Sequence, residues 1–332
     1  MRAVVITKAG PPEVLQVQER PDPQPGPGQI AIDVRAAGVN FADTMARVGL
    51  YPDAPKPPTV VGYEVAGTVR AVGPDVEGLE TGQRVVAGTR FGGYVEQIVV
   101  KAADVVPLPD ELSFAQGAAI PVNYLTAWIG LVRYGTLQAG ERVLIHAAGG
   151  GVGIAATQVA KRSGAEVYGT ASPGKHEAIR GFGVDHAIDY TESGWERDVP
   201  QFDVIMDAIG GKSFRTSYNL LAPGGRLVAF GASSVMSGER RNLVTAARAA
   251  VRMPRFNLIK QMAASKTVIG LNMVTLWDHA GTIESWITPL REMLDDGTIV
   301  PVVAEAFPFD RAPDAHRFIA ERRNVGKVVL VP

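Results

Sequence analysis

A strand that runs into a glycine-rich turn carries the most specific chemical pattern in this chain. In residues 141–153, ERVLIHAAGGGVG, an apolar strand leads directly into Ala148-Gly149-Gly150-Gly151-Val152-Gly153. This spacing is the G-x-G-x-x-G fingerprint with alanine in its first place. Small residues let the backbone approach a pyrophosphate, and the following helix presents free amides and a positive dipole end to it. The turn therefore predicts a dinucleotide site that binds phosphate through the backbone.

The second strand, AEVYGTA from Ala165, supports this interpretation over a tight corner without a ligand, and the residues after it indicate which dinucleotide binds. An NAD site usually places Asp or Glu about 20 residues after the glycines. Here the chain has Gly169-Thr170-Ala171-Ser172, with Lys175 shortly after. No carboxylate opposes a 2'-phosphate, and a lysine is available to pair with it. We therefore predict NADPH. The residues expected to bind it in these segments are Ala148, Gly149, Gly150, Gly151, Val152, Thr170, Ser172 and Lys175.

Two kinds of element must position this turn. Residues 1 to about 110 are dense in Gly and Pro, with short β-branched runs such as QIAIDVRAAGV, which is typical of a β-barrel-like unit. From Glu141 onward apolar strands alternate with helices as far as RLVAFGA, and this pattern predicts a parallel sheet covered on both faces. Ligands of such sheets lie beyond the carboxyl ends of the strands, and the predicted cofactor site includes Phe230 and Gly231.

Composition excludes several classes of protein. The 332 residues carry a formal net charge of -1, which gives no reason to expect a nucleic acid partner. The chain contains no cysteine, so disulfides, thiolate zinc sites and a catalytic thiol are excluded. The N-terminus has too short an apolar run for a signal peptide, and the longest apolar region, residues 118–132, falls short of a bilayer span. We expect a cytoplasmic protein without integral membrane contact.

A basic segment and an apolar strand follow the parallel-sheet pattern. Residues 235–262 predict a helical pair broken at Pro254, which would either lie on a membrane surface or form a basic, solvated face. The density of cations favours the solvated face. Its cations are Arg240, Arg241, Arg248, Arg252, Arg255 and Lys260, against the single acid Glu239. The next strand, TVIGLNMV at 267–274, is a candidate dimer seam because an unpaired apolar edge invites pairing, and we expect a homodimer.

Motifs spread from end to end of the chain are typical of one enzyme family. They are AAGVNFADTMARVGLYP at 36–52, VVGYEVAGTVRAVG at 60–73, IPVNYLTAWIGLVRYGTLQAGERVLIHAAGGGVG at 120–153, TASPGKHEAIRGFGVDHAIDY at 170–190 and NVGKVVLVP at 324–332. Together they resemble the medium-chain dehydrogenase/reductase family, in its zinc-free NADPH:quinone oxidoreductase branch. The segments NFADTMARVGLYP and PVNYLTAW resemble the vesicle amine transport protein-like subgroup.

This resemblance implies the fold class and the domain boundaries. The fold is α/β, with a Rossmann-type doubly wound parallel sheet and a β-rich GroES-like substrate domain. The NADPH-binding Rossmann domain is expected at 122–272. The GroES-like substrate and catalytic domain is expected at 1–121 and 273–332.

The chain departs from the zinc alcohol dehydrogenases of that family at the metal ligands. Those enzymes use a cysteine in the loop that corresponds to Gly38-Val39-Asn40 and a histidine in a G-H-E turn, where this chain has Gly62-Tyr63-Glu64. A catalytic zinc site needs three protein ligands, and Glu64 alone cannot form one. The five histidines show no metal spacing. We therefore expect no metal site and no oxidation of alcohols through a zinc alkoxide.

The resemblance also implies roles for residues of the first domain. Asn40 lies at the junction of cofactor and substrate, where its amide bonds the nicotinamide ribose or the substrate. Tyr51 lies over the pocket and donates a proton or covers the ring, and the alternative is a loop aromatic that packs on the domain. Asp43 is either a catalytic group or a helix-cap acid beside Thr44 and Met45.

Further cofactor contacts follow from the same resemblance. Thr126, in YLTAW, corresponds to a nicotinamide contact, or is a buried threonine bonded to its own helix. Lys175 and Tyr190 resemble the pair that holds the 2'-phosphate, with Ser172 close by. Asn324 resembles a C-terminal residue that closes over the cofactor.

The expected reaction needs no metal. The nicotinamide brings the hydride, so the protein positions the acceptor and stabilises the charge that develops on its oxygen. A quinone or an α,β-unsaturated carbonyl suits a site in which the cofactor supplies hydride and the protein stabilises charge, because each takes hydride at a conjugated position. We expect a zinc-independent NADPH reductase of such a small molecule. Two alternatives stay open: reduction of an enoyl thioester, with the basic segment at the channel entrance, and an NADPH-binding interaction or structural protein with vestigial activity.

Overall fold

Two sheets of different character organise the chain, of which this computed structural model describes residues 1–236, 247 and 251–332. The strands are β1 (Arg2–Ile6), β2 (Leu15–Glu19), β3 (Gln29–Val39), β4 (Glu64–Val72), β5 (Arg84–Gly88), β6 (Gln97–Lys101), β7 (Val105–Pro107), β8 (Arg142–Ile145), β9 (Glu166–Ala171), β10 (His186–Asp189), β11 (Phe202–Asp207), β12 (Leu221–Ala229), β13 (Thr267–Gly270), β14 (Val303–Pro308) and β15 (Lys327–Val331).

Helices connect and cover these strands. In the described ranges they are α1 (Phe41–Arg47), α2 (Phe114–Gly117), α3 (Pro121–Trp128), α4 (Gly151–Arg162), α5 (His176–Gly181), α6 (Lys212–Leu220), α7 (Leu258–Ala264), α8 (Met273–Ala280), α9 (Glu284–Asp295) and α10 (Ala312–Ala320). None of these helices combines the length and the apolar character that a bilayer crossing requires.

The parallel sheet has the strand order β10-β9-β8-β11-β12-β13 within the described residues. With β8 counted as the first strand, this is the 3-2-1-4-5-6 order of doubly wound nucleotide-binding sheets. Its strands are buried on both faces: Val143 and Ile145 pack into one apolar cluster, and Leu144 between them packs into another. Burial on two faces is what makes these strands nearly continuous apolar runs. The predicted doubly wound sheet is confirmed.

The second sheet contains β14-β15-β3-β4-β5-β7, with β6 also paired to β3. All its pairs are antiparallel except β14 with β15. The C-terminal strands thus return to the β-rich first part of the chain, as predicted. Because β15 pairs antiparallel with β3 and Val328 lies opposite Val39, the start of β15 lies beside the end of β3. This register brings the two chain segments together at the site, while the domain boundaries at 121/122 and 272/273 stay a prediction.

The basic segment is only partly described. Its Arg240, Arg241 and Arg248 lie outside the described residues, and its second half forms α7, where the Asn257 side chain caps Lys260 N at 3.2 Å. Next to it, β13 pairs with β12 on one side only, among the described strands. The large apolar side chains exposed on α7 are Leu258, Ile259 and Met262. An edge strand beside exposed apolar groups is compatible with a seam between two copies, and the homodimer stays a prediction.

The contact between β8 and α4 depends on a glycine. A Cβ on Gly153 would lie 2.3 Å from Ala147 O, so a Gly153→Ala variant must push α4 away from the turn. We expect the free energy of unfolding to fall by about 1–3 kcal/mol, as measured by urea denaturation. Gly174→Ala is the matched control, because a Cβ there has nothing within 4 Å. Equal urea midpoints for the two variants would show that the close contact is not needed.

Candidate cofactor and active site

The glycine-rich turn lies at the carboxyl end of β8, where the strand order of the parallel sheet reverses. Gly150 is the N-cap of α4, and Ile154 N donates to Gly150 O at 2.9 Å. The amides of Val152 and Gly153 are therefore the helix-terminal donors available to an anion.

The surroundings of the turn require small residues. A Cβ on Gly149 would lie 3.3 Å from Lys175 Cδ, and one on Gly151 would lie 2.6 Å from Asn123 Nδ2. Ala148 is buried, and its N–H donates to a backbone carbonyl of β9 at 3.0 Å. The turn therefore fits a pyrophosphate that is approached by backbone amides. Asn123 flanks this cradle. The sequence analysis assigned it no role, although it lies in the PVNYLTAW motif.

A buried polar network supports the turn from below. His146 Nδ1 lies 3.2 Å from Thr170 Oγ1, and the Thr170 hydroxyl also accepts from Ala147 N at 3.3 Å. On the other side, His146 Nε2 lies 3.0 Å from Ser217 Oγ, which donates to Asp207 Oδ2 at 2.7 Å. Burial lowers the pKa of His146, which keeps its ring neutral. Thr170, predicted to contact the cofactor, is itself buried, and its hydroxyl holds the turn in place.

The predicted 2'-phosphate residues lie beside the C-terminal loop. Lys175 Nζ donates to Arg322 O at 2.7 Å and to Asn324 O at 2.6 Å. Burial, and to a smaller extent the Arg322 charge, lowers the pKa of Lys175. Ser172 O accepts from Lys175 N at 2.9 Å, and Tyr190 is exposed. Arg322 is a second cation that the sequence reasoning missed, although the arginine pair before Asn324 could have indicated it.

The loop that contains Asn324 is bonded to the glycine turn. Asn324 Nδ2 donates to Gly326 O at 2.9 Å, and Gly326 N donates to Gly149 O at 2.9 Å. The predicted C-terminal residue thus lies in a segment that adjoins the cradle.

Three further predicted cofactor residues lie on elements around this edge. Thr126 is buried in α3. Phe230 and Gly231 directly follow β12, and Phe230 N donates to Asp207 O at 3.1 Å. A Cβ on Gly231 would lie 2.8 Å from Ala208 O, so the ends of β11 and β12 approach closely there.

Asn40 lies in a cluster of charged groups next to α1. Its Oδ1 accepts from Lys327 Nζ at 2.7 Å, and its Nδ2 donates to Glu64 Oε1 at 3.2 Å. Lys327 and Glu64 form an ion pair in which the side chains are 3% and 0% exposed. The sequence reasoning did not assign Lys327 a role, and it considered Glu64 only as a failed zinc ligand. In the described ranges, no group of three or more His, Cys, Asp or Glu side chains is placed to hold a metal ion.

Asp43 is enclosed beneath the loop that contains Asn40. It is 0% exposed and accepts from Asn40 N at 2.8 Å, from Gly62 N at 3.0 Å and from Tyr94 Oη at 2.8 Å. Burial raises the pKa of Asp43 to about 7, against the opposing effect of these bonds. A carboxyl group surrounded in this way joins α1 to the neighbouring loop. The structure therefore favours the helix-cap role for Asp43 over the catalytic role.

Aromatic rings form one wall of the site. Tyr51 meets Tyr63 edge to face with ring centroids 6.4 Å apart, and Tyr63 packs on Phe91 at 5.1 Å. Burial raises the pKa of Tyr51 to about 12, so its hydroxyl stays protonated at neutral pH. Tyr63, which stands where the sequence comparison expects the histidine of a G-H-E turn, is a buried ring that packs between Tyr51 and Phe91. We call Tyr51, Tyr63 and Phe91 the aromatic wall.

Residues that follow strands of the parallel sheet contact the first part of the chain beside the aromatic wall. Asn272 Nδ2, just after β13, donates to Asp53 Oδ2 at 2.9 Å. Thr44 Oγ1 of α1 lies 3.8 Å from Met236 Sδ. The loop that contains Tyr51 is thus tied across the cleft to the end of the parallel sheet. The groups that these contacts assemble are a helix N-terminus and cations beside the glycine turn, and the aromatic wall with the Asn40 amide on the antiparallel sheet's side.

Comparison with known proteins covers both parts of the chain. Residues 26–110 match the family described as alcohol dehydrogenase GroES-like domain, and residues 182–330 match the family described as zinc-binding dehydrogenase. The human synaptic vesicle membrane protein VAT-1 homolog is 36% identical over 340 residues, which span 100% of this chain and 86% of the human protein.

Solved structures show the same arrangement. The crystal structure of Escherichia coli quinone oxidoreductase complexed with NADPH superposes with a TM-score of 0.86 and 29% sequence identity, over 100% of both chains. The crystal structure of CurK enoyl reductase superposes with a TM-score of 0.86 and 26% identity, over 99% of this chain and 98% of that chain. The similarity thus extends over both sheets and the cleft between them.

The two cations beside the cradle generate a prediction about the choice of dinucleotide. Lys175→Ala should raise the Michaelis constant for NADPH about 10- to 100-fold, the loss expected for a hydrogen bond to a charged group. The constant for NADH should change little, because NADH has no 2'-phosphate. Steady-state kinetics with both cofactors measures this difference. Lys161→Ala, which removes a surface lysine paired with Asp185, is the control and should change neither constant. Equal losses for both cofactors would refute the assignment of Lys175.

Proposed function

The chain belongs to the medium-chain dehydrogenase/reductase family, as an oxidoreductase of the quinone oxidoreductase type, and from this premise we propose that it transfers hydride from NADPH to a quinone or an α,β-unsaturated carbonyl compound. The observation that carries the proposal is a phosphate-binding turn next to a pocket with an oriented amide, Asn40, and an aromatic wall. Such a pocket suits a flat, conjugated acceptor, because aromatic rings stack favourably on one another.

The cofactor would be held by groups that the chain already positions. The amides at the start of α4 and the glycines of the turn suit the pyrophosphate. Lys175, with the Arg322 charge near it, suits the 2'-phosphate. The Escherichia coli quinone oxidoreductase structure was solved with NADPH, which supports the same choice here. When bound, the nicotinamide ring supplies the hydride.

The protein itself would stabilise the negative charge on the acceptor oxygen and supply a proton to the reduced acceptor. The Asn40 amide can donate a hydrogen bond to the acceptor oxygen as negative charge develops on it. The Tyr51 hydroxyl, which is protonated at neutral pH, can then give its proton to the reduced acceptor and recover it from solvent. The aromatic wall excludes water from the acceptor face, which strengthens both interactions.

Reduction of an enoyl thioester is the second candidate. It uses the same hydride geometry, and the similarity to CurK enoyl reductase supports it. The described part of the basic segment, with exposed Arg252, Arg255 and Lys260, offers cations that could meet a phosphopantetheine chain. A vestigial NADPH-binding protein is the remaining alternative.

Consumption of NADPH with a panel of acceptors tests these functions together. A quinone series, an enal or enone series and a crotonyl thioester are compared at equal protein concentration. We expect turnover with quinones or enones, and a kcat/KM for the thioester at least about tenfold lower, the minimum set by one lost transition-state contact. Preference for the thioester would support the second candidate. Tight NADPH binding without turnover of any acceptor would contradict both enzymatic functions.

The role of the Tyr51 hydroxyl yields a further expectation. Tyr51→Phe should lower kcat about 100-fold or more, the usual contribution of a general acid, while the affinity for NADPH stays unchanged. Burial raises the pKa of Tyr51 to about 12, whereas an ordinary tyrosine ionises near pH 10.0. The pH profile of the wild-type kcat should therefore show no fall near pH 10.0. Tyr134→Phe, outside the aromatic wall, serves as control. An unaltered rate for Tyr51→Phe would leave this tyrosine a packing residue.

A further inference from the structure

The ion pair of Lys327 and Glu64 lies between two chain segments that are far apart in sequence. Lys327 opens β15 and Glu64 opens β4, and both side chains are almost completely buried. Removing two charges from water is costly, and replacing a buried pair by apolar residues is often neutral or stabilising. Burial alone is therefore weak evidence that the pair of Lys327 and Glu64 stabilises the fold. The hydrogen bonds that the two side chains make to other residues indicate a second role.

Those contacts determine how the Asn40 carboxamide is oriented. An amide oxygen and an amide nitrogen are nearly isosteric, so a carboxamide can ordinarily flip. Here the ammonium of Lys327 lies 2.7 Å from Asn40 Oδ1, and Glu64 Oε1 lies 3.2 Å from Asn40 Nδ2. A flip would place the NH2 group against a cation and the carbonyl against a carboxylate. Only one orientation therefore satisfies both charges.

This orientation decides what Asn40 presents to the cleft. Its oxygen is directed to Lys327, and one of its two N–H groups is directed to Glu64. Asn40 is half-buried, whereas both of its partners are buried, and the second N–H is the polar group of the amide that neither charge engages. A cation bonded to the amide oxygen also polarises the amide and strengthens its N–H as a donor.

The same carboxylate also fixes the helix on the other side of the cleft. Glu64 Oε2 accepts from Val122 N at 2.7 Å, in the first turn of α3. The predicted nicotinamide contact Thr126 lies one turn further along that helix. A Cβ on Gly38 would lie 2.5 Å from Glu64 Oε1, so the carboxylate reaches both partners only past a glycine. Glu64 thus sets the position of Asn40 relative to α3.

We propose that Lys327 and Glu64 are positioning residues that hold Asn40 as a polarised N–H donor toward the oxygen of the hydride acceptor. The proposal rests on the proposed function, since it concerns the acceptor of that reaction. It implies that acceptors with a carbonyl or quinone oxygen at this point are favoured. It also implies that the charge of Lys327 acts on the rate through Asn40.

A double-mutant cycle tests whether the ion pair acts through Asn40. The paired change Glu64→Gln with Lys327→Met removes both charges of the ion pair together, so the protein is expected to fold. It should lower kcat about 10- to 100-fold, approaching the effect of removing one donor to a developing oxyanion. In an Asn40→Ala background the same pair of changes should lower kcat no further. The Kd for NADPH, measured by fluorescence titration, should stay within about threefold of the wild-type value.

The possible outcomes separate the inference from the proposed function. Losses that multiply in the triple variant would overturn the inference, because the ion pair would then act independently of Asn40. An unchanged kcat in the paired variant would overturn it as well. Absence of turnover by the wild-type protein with every quinone and enone would instead contradict the proposed function. Lys8→Met, the same substitution at an exposed lysine, is the matched control and should leave kcat unchanged.

Discussion

The return of the C-terminal strand to the glycine turn is the contact on which the site depends. Gly326 N donates to Gly149 O, and the next residue, Lys327, is bonded to Asn40 and paired with Glu64. A few residues upstream, the carbonyls of Arg322 and Asn324 accept from Lys175. One short segment thus joins the phosphate cradle of the parallel sheet to the acceptor side of the antiparallel sheet. The spacing between the glycine turn and Asn40 is therefore set by backbone pairing.

The charges of the site are arranged around that segment. Beside the glycine turn lie the amides at the start of α4 and the cations Lys175 and Arg322. On the antiparallel sheet lies the Asn40 amide, whose oxygen accepts a hydrogen bond from the buried ammonium of Lys327. Here Lys327 is bonded to Asn40 and paired with Glu64. A buried cation behind a neutral donor is weaker than a metal, which agrees with acceptors that need little polarisation, such as quinones and enones.

Local patterns predicted the fold and the cofactor cradle, because their physical causes are local. Apolar runs buried on two faces indicated the parallel strands, and the small residues at 148–153 indicated the turn. The contact between Lys327 and Asn40 joins residues 287 positions apart, and only the register of β15 on β3 brings them together. No spacing rule in the sequence could show it. The sequence predicts Thr170 as a cofactor contact and Asp43 as either a catalytic group or a helix-cap acid. Burial and hydrogen bonds from neighbouring backbone groups favour supporting roles for both.

In the proposed reaction, hydride passes directly from the nicotinamide to a conjugated acceptor. Reduction of an enone with NADPH deuterated at C4 on the transferred face, followed by mass spectrometry and NMR of the product, tests it most directly. The account predicts one deuterium, on the β-carbon of the saturated product, with the second hydrogen taken from solvent. A reduced product that contains no deuterium from the cofactor would contradict direct transfer.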